Sequence, residues 1–129
     1  MKKLPVILIV SLAAAVTVLA QHGGKAEPKR IEFGAGRTST ILSTTLGADE
    51  EMEYVFSAKK GQRVTITNPS TGLFDVRIFS EENNVETEFD SSRTFSLMLP
   101  ADGDYNLFVR KKRVKTPRRA RSSITLSIK

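Results

Sequence analysis

From residue 30 onward, apolar side chains recur at every second position. Met52, Tyr54 and Phe56 alternate with Glu51, Glu53, Val55 and Ser57; Val64 and Ile66 alternate with Thr65 and Thr67; Phe74, Val76 and Ile78 alternate with Asp75, Arg77 and Phe79. Phe95, Leu97 and Leu99 continue the pattern, followed by Tyr105, Leu107 and Val109 and then Ile124, Leu126 and Ile128. A repeat of two sends successive side chains to opposite faces of an extended chain, so each run reads as a strand that buries one face. Residues suited to turns separate the runs: Gly34-Ala-Gly36, Leu46-Gly47-Ala-Asp49, Lys60-Gly61, Asn68-Pro69-Ser-Thr-Gly72, Glu82-Asn83-Asn84 and Pro100-Ala-Asp102-Gly103. About eight short strands at this spacing predict an all-β fold, an antiparallel β-sandwich in which two half-buried sheets hide each other's apolar faces.

The start of the chain has a different pattern. Lys2 and Lys3 precede an apolar run from Val6 to Ala20, and Val18-Leu-Ala20 supplies the small residues a signal peptidase needs. The run is shorter than the roughly 20 apolar residues that span a bilayer, so it reads as a signal peptide, residues 1–20, rather than a retained anchor. Residues 21–29, QHGGKAEPK, are polar and glycine-rich and read as a flexible leader, with the folded domain over residues 30–129. Cleavage after Ala20 leaves 109 of the 129 residues, enough for one core but not two. The expected destination is the periplasm or the exterior, with no stable membrane insertion once the signal is removed.

Composition narrows the chemistry. The chain has no cysteine, which excludes a disulfide framework, thiol catalysis and cysteine-ligated zinc. Its one histidine, His22, falls in the leader, where general-base work would lack fixed geometry. No Ser-His-Asp arrangement and no glycine-rich phosphate loop can be assembled. The acidic clusters at Asp49-Glu-Glu51 and Glu81-Glu82 read as solvated turn faces rather than paired acid and base. Asp102, Asp104 and Asn106 alternate as the first ligands of a calcium loop would, but Gly103 is misplaced and a strand follows where further oxygens are needed. The expectation is a protein without catalytic activity, cofactor or metal.

Charge is concentrated in one place. Residues 110–121, RKKRVKTPRRAR, hold eight Lys or Arg and no acid, whereas the rest of the mature chain carries a net negative charge. This asymmetry predicts a cationic projection between the last two strands and a partner with concentrated negative charge. Nucleic acid fits the charge but not the compartment, and no aromatic interleaves with the basic residues to stack on bases. Val114 is the only large apolar residue of the stretch, so insertion into a membrane has little hydrophobic drive.

Three segments bear a family resemblance: AEPKRIEFGAGRTSTILSTTLGADEEMEYVFSAKKGQRVTIT, then FDVRIF, then SLMLPADGDYNLFV with a basic loop and SSITLSIK. Together they resemble the periplasmic inhibitors of g-type lysozyme, small exported β-sandwiches, and more loosely the bacterial pre-peptidase C-terminal domains. The most specific elements are Ala58-Lys59-Lys60-Gly61-Gln62 and Leu99-Pro100-Ala101-x-Gly103-x-Tyr105. The resemblance implies a non-enzymatic inhibitor whose partner is a g-type lysozyme or another acidic exported protein. Glycan-cleaving enzymes hold carboxylates around the scissile bond, and an arginine-rich loop suits such a cleft because guanidinium forks bind carboxylates through paired hydrogen bonds. On this reading Arg113, Arg118 and Arg119 contribute most, and Arg110 and Arg121 steer the approach. The alternative is an accessory module that adheres to envelope glycans or another exported protein. This chain differs from the inhibitors at two turns: Asp102-Gly103-Asp104-Tyr105 stands where they have Ser-Gly-x-Tyr, and Ala48-Asp-Glu-Glu51 where they carry tyrosine. Both differences add negative charge.

Overall fold

The computed structural model describes residues 27–114 and 117–129; the expected signal peptide and most of the leader lie outside them. Nine strands follow one another: β1 (Lys29–Arg30), β2 (Ser39–Gly47), β3 (Glu51–Ala58), β4 (Arg63–Thr67), β5 (Phe74–Ser80), β6 (Val85–Glu86), β7 (Thr94–Met98), β8 (Gly103–Lys111) and β9 (Arg119–Ile128). They form two sheets, one in the order β1-β3-β8-β5-β6 and the other β2-β9-β4-β7. All pairings are antiparallel except that of β1 with β3. No helix occurs among the described residues.

The period-two runs supply the core. Tyr54, Phe56, Phe74, Val76, Ile78, Tyr105, Leu107 and Val109 from the first sheet face Val64, Ile66, Ile124 and Leu126 from the second, all of them buried. Each fully buried Val, Leu, Ile or Phe side chain contributes about 1.5–3 kcal/mol, and this burial carries the stability of a chain without disulfides. Phe56 and Tyr105 are register partners on β3 and β8, and their rings stack with centroids 5.7 Å apart. The Tyr105 hydroxyl donates to the Ala101 carbonyl at 2.6 Å, which satisfies its polar end at the margin of the core and pins the turn before β8. Gly61 holds φ +88° in the turn between β3 and β4, a left-handed conformation that glycine adopts without steric cost.

The two sheets place their connections at two ends. At one end lie the β2–β3 turn, the β4–β5 connection and the β8–β9 connection. At the other lie the β3–β4, β5–β6 and β7–β8 turns. β8 runs nine residues between them, about 27 Å from end to end.

Candidate functional site

The basic segment enters the structure as strand before it leaves as loop. β8 continues through Arg110 and Lys111, β9 begins at Arg119, and only residues 112–118 connect them. The expected 110–121 projection is therefore shorter than its sequence boundaries. The reason is register: Arg110 pairs with Glu51 and Asp75, Arg119 with Gly47 and Arg121 with Thr45, so ladder hydrogen bonds extend into the charged residues. Lys115 and Thr116 lie outside the described residues.

Strand alternation then sends the five candidate arginines to different places. Arg110 projects from the outer face of the five-stranded sheet. Its Nε and Nη2 reach the two Asp75 carboxylate oxygens at 3.1 and 2.8 Å, and its guanidinium lies 3.8 Å from the centre of the Phe89 ring. The Asp75 pair raises the Arg110 pKa above its ordinary value. Arg119 and Arg121 lie on the opposite side, the outer face of the four-stranded sheet, because the even-numbered residues Ser122, Ile124 and Leu126 turn inward. Lys111 has the core-facing parity of Tyr105, Leu107 and Val109; it is fully buried, and its Nζ donates to the Lys112 carbonyl at 3.0 Å. Among the described residues, the basic side chains of this segment do not share one projection.

Arg113 and Arg118 remain together, in the connection itself. With Ala48, Asp49 and Val114 they line an open cleft of about 690 Å³ at the end of the sandwich. Backbone bonds hold the cleft in shape. The Asp49 N–H donates to the Lys111 carbonyl at 3.0 Å, the Lys111 N–H to the Glu50 carbonyl at 2.9 Å, and the Lys112 N–H to the Leu73 carbonyl at 2.8 Å. The Lys112 Nζ donates to the Thr71 carbonyl at 2.7 Å, tying the third connection to the loop.

The acidic β2–β3 turn packs against this loop and offsets part of its charge. Arg113, 81% exposed, donates through Nε and Nη2 to the Asp49 carboxylate. Asp49 itself takes a left-handed conformation, φ 64°, which Asp tolerates better than most residues. Glu50 accepts the Gly47 N–H at 2.6 Å and lies 4.0 Å from Arg119. Among the described residues no acid lies within salt-bridge distance of Arg118 or Arg121. The second acidic turn sits at the far end: Asp102 accepts the Lys60 N–H, and Asp104 pairs with Arg30 and Ser57. The bond from Arg30 holds the Asp104 carboxyl below the ordinary carboxylate range, with Ser57 adding to the effect. With Asn106 donating to Glu53, the three alternating residues that suggested a calcium loop each have a protein partner.

The contribution of the 48–50 turn to the cleft was not foreseen. The only signal for it in the sequence is opposite charge in two segments more than 60 residues apart, and pairing them requires the β3–β8 register.

Compared as a sequence, the chain matches no family model and no curated protein. Compared as a structure, it superposes on PliG of Salmonella Typhimurium, a periplasmic inhibitor of g-type lysozyme, with a TM-score of 0.65 and 25% identity. That alignment covers 81% of this chain and 100% of the inhibitor. The fold is that of the periplasmic g-type lysozyme inhibitors. PliG of Aeromonas hydrophila matches with a TM-score of 0.64 and 22% identity, over 79% of this chain and 96% of its own. The pre-peptidase C-terminal domain of a Bacillus anthracis collagenase aligns more loosely, with a TM-score of 0.49 and 16% identity over 81% of this chain and 97% of that domain.

Proposed function

We infer that this chain is a periplasmic inhibitor of g-type lysozyme and that it docks through the end of the sandwich where Ala48 and Asp49 meet Arg113, Val114 and Arg118. Superposition of 81% of this chain on the whole of the Salmonella inhibitor, at 25% identity, is the observation that carries the reading. The local chemistry agrees with it. Arg118 and Arg113 flank a cleft at an exposed end, where a guanidinium can reach the carboxylates that line a glycan-cleaving active site. Arg119 stands at the rim beside Glu50, and Arg121 adds positive potential that speeds encounter with an acidic partner. Arg110 has a different task, holding the outer sheet face through Asp75 and Phe89.

Asp49 enters as a competitor. Its carboxylate holds Arg113 in place of an enzyme carboxylate, so docking exchanges one ion pair for another and the gain from Arg113 is small. Arg118, with no acid in reach among the described residues, brings the larger share.

The test is a bacterial lysis assay with g-, c- and i-type lysozymes, each titrated with the mature chain. The expected outcome is stoichiometric one-to-one loss of g-type activity with the c-type and i-type enzymes little affected. Undiminished g-type lysis at excess chain contradicts the reading, and adhesion to envelope glycans would then account for the cationic end.

A further inference from the structure

β2 forms an edge of the four-stranded sheet whose own residues lack the charges and proline that usually keep sheet edges apart, with Lys29, Arg30, Ile31 and Glu32 across a groove from Thr40–Ser43. Its nine residues, STILSTTLG, include no charged side chain and no proline. The other edges are shorter or covered. β6 has two residues, β7 has five, and β1 caps the middle of β3, which also carries Glu51 and Glu53.

The ladder to β9 determines which backbone groups of β2 are already used. The Ile128 N–H donates to the Thr38 carbonyl at 2.8 Å, and the register continues through Thr40 with Leu126 and Leu42 with Ile124. Antiparallel alternation therefore turns the even-numbered residues toward β9 and leaves the N–H and C=O of Ser39, Ile41, Ser43 and Thr45 facing away from the sheet. Gly47 is already closed, since Glu50 bonds both its N–H and its carbonyl. Among the described residues no hydrogen bond reaches the outward groups of Ile41, Ser43 and Thr45. The Ile41 side chain is 64% exposed beside them.

We propose that the β2 edge is a self-association surface, pairing antiparallel with β2 of a second copy about a two-fold axis at Leu42. This register sets Ser39 opposite Thr45 and Ile41 opposite Ser43, so every open backbone donor meets an open acceptor and none is left over. A shift by one residue would set open groups against used ones. A shift by two toward the C-terminus would waste bonds on Gly47. Between the strands no like charges meet, and at each end Arg37 comes opposite Gly47 of the other copy, beside the carboxylate of Glu50. A second copy fits better than an unrelated strand because the same neutral edge and the same Arg and Glu flanks complete each other. Gly47 lies about 17 Å from the axis, so the two cationic ends point in opposite directions and both clefts stay open. The inference does not depend on what those clefts bind.

Sedimentation equilibrium of the mature chain over a wide concentration range tests it, with thermal midpoints as a check on folding. The parent chain should move from one chain mass toward two as concentration rises. Ile41→Lys with Ser43→Lys sets like charges opposite each other twice and should weaken the dimer by about tenfold. Ile41→Lys with Ser43→Glu sets opposite charges together in the same register and should restore it. A parent chain that keeps one chain mass at every concentration overturns the proposal. So does a dimer indifferent to the paired lysines, or a Lys/Glu variant that stays as weak as the Lys/Lys variant.

Discussion

Arg110 and Arg118 are chemically identical and eight positions apart, yet only Arg118 reaches the candidate site. Strand parity decides the matter. Arg110 is the last outward-facing residue of β8, and Asp75 lies directly opposite on β5, so its guanidinium lies back across the sheet onto Phe89. Arg77 does the same next to it, within 5.4 to 5.7 Å of the rings of Phe79, Phe89 and Phe108. These contacts make Arg110 part of the structure, and its acid is the test. Asp75 is nearly buried, so Asp75→Ala leaves Arg110 half-covered and unpaired and should destabilise the chain by about 1–3 kcal/mol in urea unfolding. Lysozyme inhibition by the folded fraction should be unchanged. A variant as stable as the parent would mean that the stacking alone holds Arg110.

At the scale of the strand, periodicity identified every run that builds the core from β3 onward, and it missed β2. The reason lies in β2 itself: its inward positions are Thr40, Leu42, Thr44 and Leu46, while Ile41 points out, so polarity does not follow parity. The short strands β1 and β6 depend on neighbours rather than on any pattern of their own. The strand extensions through Arg110, Lys111, Arg119 and Arg121 were hidden for the opposite reason, because charge masked residues that pairing places in a ladder. Two substitutions separate the faces. Leu107→Ala, on the inner face of β8, should cost about 2–5 kcal/mol, whereas Ile41→Ser on the open edge should stay within about 0.5 kcal/mol when measured at protein concentrations low enough for a single chain. A similar cost at both positions, read by denaturant midpoint, would contradict the assignment of β2 parity.

Across the whole molecule, charge is arranged by end and by face. The negative charge that Asp49, Glu50 and Glu51 add lies beside the basic residues and is partly offset by them, and the Asp102–Asp104 turn lies about 27 Å away at the far end. The fold class and the concentration of positive charge were legible in the sequence. The division of that charge among two outer faces, the core and one end was not, because it follows from pairing partners distant in the chain. Among the described residues, the candidate arginines that line the cleft at the end of the sandwich are Arg113, held by Asp49, and Arg118. The most direct measurement of the central claim is inhibition of g-type lysozyme by the Arg113→Glu, Arg118→Glu double variant, with its thermal midpoint recorded in parallel. The account predicts that inhibition falls by about 100-fold or more while the midpoint shifts by no more than a few degrees. Inhibition equal to that of the parent chain would contradict it.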